Sequence, residues 1–364
     1  MTPIDWRELY ASNLAAIEAG RGMSVPPRPT MPRPSKPKLP KGIRVPRRVE
    51  PPRRPPRDDR PSGTGRWHPQ VYDGPAGKRA YCLYTPRDLS TTSAAPLVVM
   101  LHGCTQGPAD LARGTAMNLV ADRHGFVVAY PHQTTRQNPQ GCWNWYLERH
   151  QGRGAGEPAL LAGLTREVMA SRPGAGIDPQ RVFLAGMSAG GAMAAVMAAT
   201  HPELFAGVGV HSGLAYGSAT NQEGAFRAMA EGGAGGGKEV VEAMGSRMRL
   251  VPSIVVHGTG DHIVSPANGD HLVEQWLAAN RLSARGAFDD AELERPGSRE
   301  HGQVEGGHAY TRYRWSDRDG RLVQEYLKVK GLGHAWSGGD RAGSYADPKG
   351  PDASRAMWEF FAGR

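Results

Sequence analysis

Apolar residues follow two different rules along this chain. Within residues 1–20, Trp6, Leu9, Tyr10, Leu14 and Ile17 recur at steps of three and four, which sets them along one face and predicts a short amphipathic helix. From residue 67 onward, short apolar runs near 79–85, 96–101, 126–130, 181–185, 206–210 and 252–257 alternate with helix-length stretches at 109–124, 157–171, 189–200, 267–280 and 352–362. That alternation is expected of parallel strands joined by crossover helices, so the body is predicted to be an α/β fold. Residues 308–315 and 322–330 have a β-rich alternation about Asp317-Arg318-Asp319-Gly320, which predicts a hairpin whose glycine is free to take a positive φ. Two Gly-rich polar stretches interrupt the pattern: 281–307 reads as a surface excursion or lid, and 231–238 as a mobile loop.

Between the two regimes the periodicity disappears. Residues 26–61 hold 13 prolines interleaved with Arg and Lys, and proline supplies neither a ladder nor a helix hydrogen bond. Such a segment cannot bury enough apolar surface to offset its chain entropy. The expected organisation is therefore a helix at 1–20, a disordered basic linker at 21–66 and one folded domain at 67–364.

Charge changes the picture only for the tail. The formal net charge is +9, yet residues 1–66 carry 15 Lys+Arg against 6 Asp+Glu, while the remainder carries 29 of each. Nucleic-acid binding by the body is thus disfavoured, and the tail has two readings: a solubilising linker, or an attachment to a polyanion or an anionic granule surface. No apolar run approaches the roughly 18 residues needed to cross a bilayer, which excludes a membrane-spanning helix. The three cysteines, Cys82, Cys104 and Cys142, lack metal-ligand spacing, so no structural zinc site is expected. Asp5, Glu8 and Glu18 interrupt the first residues and no apolar core with a small-residue cleavage site follows. No ordinary secretory signal is readable, and the cytoplasm is the expected compartment.

The chemistry concentrates where strands end. The run from Arg181 to Gly191 reads as a strand, then Gly186-Met187-Ser188-Ala189-Gly190, then an Ala-rich helix. A nucleophile elbow needs small flanking residues because the strand-to-helix turn leaves no room for side chains. Ser188 would also sit at a helix N-terminus, where free N–H groups favour developing negative charge. A serine hydroxyl needs a base, and the base an orienting carboxylate. Asp261 lies in a Gly-rich loop after the strand at 252–257, and His334 in a similar loop after the last strand. Asp270 is a second candidate acid but falls inside a predicted helix; His257, His262 and His308 are other candidate bases, none in a Gly-flanked loop after a final strand. The order Ser188, Asp261, His334 is that of α/β-hydrolases. Two N–H donors are needed for the oxyanion, and Ala189 and Cys104 are the candidates. The Cys104 thiol is either a small buried group or bonded to Cys142. Trp143, Trp145 and Trp336 suggest a ring-lined substrate groove, with core packing as the alternative for each.

Six motifs in order, Leu101-His102-Gly103-Cys104-Thr105-Gln106, Tyr130-Pro131, Cys142-Trp143-Asn144-Trp145, Gly186-Met187-Ser188-Ala189-Gly190-Gly191, Gly260-Asp261 and Gly333-His334-Ala335-Trp336-Ser337-Gly338-Gly339, resemble the poly(3-hydroxybutyrate) depolymerase family of esterases over about residues 70–363. The resemblance implies an α/β-hydrolase fold and a serine esterase acting on polymeric or oligomeric 3-hydroxyalkanoate esters, with feruloyl or acetyl esters of plant polysaccharide as the alternative substrates. It implies Ser188 as nucleophile, Asp261 as acid and His334 as base, with no metal or organic cofactor. Many members of that family are secreted and carry an additional substrate-binding domain, features not readable in this sequence, whose basic Pro-rich tail stands apart from the family pattern.

Overall fold

The computed structural model describes residues 61–171, 175–233, 235–284 and 296–364; the predicted helix at 1–20 and the linker as far as residue 60 lie outside them. The chain runs β1 (Arg66–Gly74), β2 (Gly77–Thr85), β3 (Ala95–Leu101), α1 (Pro108–Thr115), α2 (Met117–His124), β4 (Val127–Pro131), α3 (Gly156–Ser171), β5 (Ile177–Met187), α4 (Ala189–Thr200), β6 (Gly207–His211), α5 (Gln222–Glu231), α6 (Gly237–Met244), β7 (Ser253–Gly258), α7 (Ala267–Ser283), β8 (Ser298–Gln303), β9 (Ala309–Ser316), β10 (Leu322–Val329), β11 (Trp336–Ser337), β12 (Ala346–Asp347) and α8 (Ala353–Ala362).

Side chains of the central strands alternate between two cores. Leu97, Val99 and Leu101 of β3 and Val182 and Leu184 of β5 pack on one face of the sheet, while Val98, Met100, Phe183, Ala185 and Met187 pack on the other. Both parities are apolar because both faces are covered, which is why these strands read as continuous apolar runs. Residues of α3, α4, α6 and α7 cover the first face (Leu164, Met193, Val240, Trp276), and those of α1, α2 and α8 the second (Leu111, Met117, Trp358, Phe361). Phe126 stacks on Trp358 at 4.0 Å and Phe183 on Phe361 at 4.7 Å between ring centroids. Each buried ring contributes about 1.5–3 kcal/mol. The ten strands are ordered β1-β2-β4-β3-β5-β6-β7-β10-β9-β8. Neighbours from β4 to β10 are parallel and the flanks antiparallel. This sheet sandwiched between helices is an α/β-hydrolase architecture, with the carboxyl ends of β3, β5, β7 and β10 on one edge where sites assemble.

Several boundaries differ from expectation. The body begins before residue 67: Thr64 N–H donates to Asp122 Oδ2 (2.8 Å) and Gly65 N–H to the Tyr84 hydroxyl (2.8 Å), so the last residues assigned to the linker are held by the domain. Strand β1 was not foreseen because it is an edge strand, mostly exposed, where Pro69 is tolerated. The helix expected at 109–124 is two helices. Ala116 takes φ 52° and closes α1, and the Gly114 carbonyl that a continuous helix would use accepts from Asp340 N–H instead (2.9 Å). In the stretch 231–238, Glu231 ends α5 and Gly237 begins α6, and the described residues between them form a short connection without regular structure. Gly237 is needed for close approach, because a Cβ there would press on the Ala279 backbone of α7. Of the expected excursion at 281–307, residues 298–303 form the polar edge strand β8, while 285–295 lie outside the described residues. The hairpin about Gly320 forms as expected between β9 and β10, with Gly320 at φ 77°.

Candidate active site

Ser188 stands at the end of β5 with φ 57° and ψ −124°, a conformation costing of order 1–3 kcal/mol for a residue with a Cβ. The surroundings enforce it. A Cβ on Gly186 would strike the Gly190 carbonyl, and one on Gly190 the carbonyl oxygens of Leu101 and His102, so only glycine lets β5, α4 and the loop after β3 meet. Ser188 N–H donates to the His211 carbonyl (2.9 Å), and its own carbonyl accepts from Ala192 N–H (2.9 Å). Its side chain makes no capping hydrogen bond to α4. The hydroxyl is thereby left for chemistry at a helix N-terminus whose first N–H groups, including that of Ala189, have no intrahelical acceptor.

The loop after β3 lies against this elbow, a Cβ on Gly103 falling 3.4 Å from Ser188 Cβ. Gly103 N–H donates to Gln106 Oε1 (2.9 Å), Thr105 N–H to the Gln140 carbonyl (2.7 Å) and Gln106 N–H to the Gly103 carbonyl (3.4 Å). Among the described residues the Cys104 N–H has no such acceptor. The loop is further tied down by a disulfide between Cys104 and Cys142, which decides the pairing that the sequence left open; Cys82 is the free thiol, pushed up to about 11 by burial. Behind it, His102 Nε2 accepts from Gln133 N–H (3.0 Å), so its Nδ1–H donates to the Gly103 carbonyl (2.8 Å). The segment bearing Cys142 is anchored in turn on buried Glu157, whose carboxylate accepts from Asn144 N–H (2.7 Å), Asn144 Nδ2 (2.7 Å) and Gln133 Nε2 (2.5 Å).

Asp261 and His334 meet across two neighbouring loops. His334 Nδ1 donates to Asp261 Oδ2 at 2.8 Å, while Asp261 Oδ1 accepts from Ile263 N–H (3.0 Å) and Val264 N–H (2.9 Å). Burial alone would raise the Asp261 carboxyl, but the charges of His334 and His257 and these hydrogen bonds outweigh it and hold the group down to about 2. The carboxylate thus fixes the His334 tautomer and leaves Nε2 with its lone pair. Bonds from Gly260 N–H to the Leu332 carbonyl (3.0 Å) and from Gly331 N–H to Thr259 Oγ1 (2.9 Å) staple the acid loop to the base loop. Among the described residues no hydrogen bond joins the Ser188 hydroxyl to His334. Such contacts commonly tighten only when substrate is bound.

Three of the four competitors are occupied elsewhere, and His262 is exposed to solvent. Asp270 pairs with Lys328 Nζ (2.9 Å), His308 with Asp347 (3.0 Å), and His257 Nε2 with the Val264 carbonyl (3.0 Å). The three tryptophans do not line an open groove: Trp143 is 0 %, Trp336 1 % and Trp145 4 % exposed. The bulk that suggested a substrate wall is used as packing. Trp143 lies against His102 (5.7 Å) and under the Arg79 guanidinium (5.5 Å), and Trp336 stacks on His211 (4.9 Å). His211 was missed by the sequence reading. Its Nε2 accepts from Ser337 N–H (3.0 Å) and its carbonyl holds Ser188 N–H, so one buried residue connects the serine turn to the histidine loop. Its position at the end of β6 was the available signal. Tyr345 was also missed, for no hydrophobic period runs through residues 340–347. Among the described residues there is no group of three or more His, Cys, Asp or Glu able to hold a metal, and no helix long and apolar enough to cross a membrane.

The fold is that of an α/β-hydrolase, and it carries a strained serine between β5 and α4 and an Asp–His pair on the loops after β7 and β10. The profile of the Esterase PHB depolymerase family matches residues 79–304, and the chain belongs to that family. It is 36% identical over 191 residues, half of its length and 44% of the relative's, to poly(3-hydroxyalkanoate) depolymerase C of Paucimonas lemoignei. It is 30% identical over 286 residues, 72% of its length and 53% of the relative's, to poly(3-hydroxybutyrate) depolymerase of Ralstonia pickettii. Acetylxylan esterase A of Talaromyces purpureogenus is 29% identical over 220 residues, 56% of this chain and 54% of that one. The chain thus spans about half the length of these curated relatives. A solved acetyl xylan esterase from Aspergillus awamori shares the fold, with a TM-score of 0.62 at 22% identity over 83% of this chain and all of the other.

Proposed function

We propose that this chain is a serine esterase that hydrolyses polymeric or oligomeric 3-hydroxyalkanoate esters through an acyl-enzyme. The observation that carries the reading is the strained Ser188 elbow, with the unclaimed Cys104 N–H on the loop against it and the Asp261–His334 pair on the neighbouring strand ends. His334 Nε2 takes the hydroxyl proton as Ser188 Oγ attacks the ester carbonyl. The imidazolium is held by Asp261, and the Ala189 and Cys104 N–H groups receive the oxyanion. Collapse expels the alcohol, which leaves with the proton from His334. Water then adds to the acyl-enzyme with His334 again as base, releasing the acid and restoring Ser188. No step requires a metal or organic cofactor.

The names of the Paucimonas and Ralstonia relatives support the hydroxyalkanoate substrate. The Talaromyces relative, matched nearly as well, favours an acetyl ester of polysaccharide as the second reading. Acid release from amorphous poly(3-hydroxybutyrate) and its soluble trimer, compared with acetylated xylan and methyl ferulate, separates them. Release from the polyester or trimer by wild type and not by Ser188→Ala is the expected result. Cleavage of the plant-type esters alone would transfer the assignment. The Cys104–Cys142 bond argues for work in an oxidising compartment, against the cytoplasm expected from sequence, because such bonds persist where thiols are not kept reduced. Residues 1–66, with 15 basic side chains against 6 acidic ones, would attach the enzyme to an anionic granule surface. Salt-sensitive granule binding lost on deleting residues 1–60, which leaves the domain contacts of Thr64, Gly65 and β1 in place, with small-ester hydrolysis retained, is the test.

A further inference from the structure

One partly exposed side chain links the base to the oxyanion loop. Residues 340–347 are latched on both sides: Trp336 N–H donates to the Tyr345 carbonyl (2.6 Å) in the small β11–β12 pairing, Gln106 Nε2 to the Ser344 carbonyl (3.1 Å), and Ser344 N–H to Asp110 Oδ1 (3.1 Å). Between these latches Tyr345 is held at φ 51°, in the left-handed region that disfavours a bulky side chain. Its ring stands edge-on to His334, 6.1 Å between centroids at 77°. Its hydroxyl is 3.5 Å from Thr105 Oγ1, on the residue after Cys104. The three tryptophans near these motifs are buried, whereas Tyr345 is partly exposed. A strained aromatic at this place is a common mark of a residue retained for what it touches.

We propose that Tyr345 is a specificity-determining residue that forms the wall beside the departing alcohol. The inference rests on the esterase reading of Ser188, Asp261 and His334. To be protonated, the leaving oxygen must approach His334 Nε2, so the ring next to that imidazole lies beside whatever the alcohol carries. In a hydroxyalkanoate ester the alcohol is the next monomer, whose methyl and methylene groups suit an aromatic surface. A methyl ester offers nothing to this wall.

The experiment compares 3-hydroxybutyrate methyl ester with the 3-hydroxybutyrate dimer, which have the same acyl group and different alcohols, for wild type, Tyr345→Phe and Tyr345→Gly. Glycine removes the ring and also relieves the backbone strain. The expected result is a loss of about tenfold or more in kcat/KM for the dimer with Tyr345→Gly, mainly through KM, little change for the methyl ester, and near-normal behaviour for Tyr345→Phe. Equal loss on both esters, or none on either, would overturn the role of Tyr345. Should the glycine variant not fold, Tyr345→Asn, which tolerates the left-handed region, replaces it with the same expectation. A Ser188→Ala arm distinguishes the two levels. If Ser188→Ala still cleaves both esters, the esterase reading falls and the inference with it; if cleavage depends on Ser188 while the Tyr345 variants keep the wild-type dimer-to-methyl ratio, only the inference falls.

Discussion

Two hydrogen-bonded histidine–carboxylate pairs among the described residues have almost the same bond length and very different surroundings. His334 meets Asp261 at 2.8 Å and His308 meets Asp347 at 3.0 Å. His334 uses Nδ1, which leaves the far nitrogen of the ring open; His308 uses Nε2 and so spends that far nitrogen on the carboxylate. Asp261 is buried and also accepts two backbone N–H groups, whereas Asp347 is partly exposed and accepts from Lys349 N–H (2.9 Å). Both carboxyls are held below the ordinary range despite the upward push of burial, Asp261 down to about 2. The lesson is that the pair alone is not the device. Which nitrogen is bonded, and what lies beyond the other, decides whether a histidine can act as a base.

Substitutions that remove each carboxylate's charge should therefore separate the pairs sharply. Asp261→Asn should lower kcat by about 10⁴-fold, because the amide no longer favours the tautomer with a free Nε2, while Asp347→Asn should change kcat by less than about twofold. Ester hydrolysis under saturating substrate checks both. Comparable losses from the two variants would erase the distinction.

The next largest effect concerns the other half of the site. The Cys104–Cys142 bond closes a loop of sequence separation 38, so reducing it should cost up to about 4 kcal/mol of stability on a chain-entropy estimate. Activity should fall as well, since the loop bearing the Cys104 N–H is released. Denaturant unfolding and turnover with and without reductant measure the two losses. Smaller still is the effect expected at His211. His211→Phe keeps the stack on Trp336 but removes the acceptor for Ser337 N–H, and a displacement of the His334 loop of about 1 Å should cost up to about 10²-fold in kcat with KM little changed. His211→Gln, able to place an oxygen near the lost nitrogen, should recover part of it.

The remaining effect is a slope of stability with pH. Burial holds His102 down to about 4 and His211 down to about 3, so both are neutral in the fold. The unfolded chain protonates them below about pH 6.5. It then binds more protons than the folded state, so stability is full above that pH and falls below it by about 1.4 kcal/mol per pH unit for each histidine until their folded values are reached. Asp261 contributes in the same direction, its share being present above the ordinary carboxylate value and lost only as pH falls towards about 2. Acid unfolding followed by circular dichroism should thus begin below about pH 6.5 and be well advanced before Asp261 is protonated.

Much of this was legible in the sequence where one residue type has one physical use. Gly186 and Gly190 announce the elbow because nothing larger fits, and the both-faces-apolar runs of β3, β5 and β7 announce a covered parallel sheet. Asp261 and His334 were legible from their places in Gly-rich loops after strands. The Trp143, Trp145 and Trp336 side chains were not, because a large ring serves a core and a groove equally well and only burial decides. His211 acts through a backbone carbonyl and a lone pair offered to Ser337, contacts for which the sequence has no pattern. Edge strands β1 and β8 escaped because solvent-facing strands need no apolar alternation.

The most direct test of the central claim is labelling with a fluorophosphonate, which reacts with an activated serine, followed by peptide mass spectrometry. The account predicts one adduct per chain, on the peptide containing Ser188, formed far more slowly in His334→Ala and at the wild-type rate in His308→Ala. A modified serine elsewhere, or labelling of Ser188 that proceeds unchanged without His334, would contradict it.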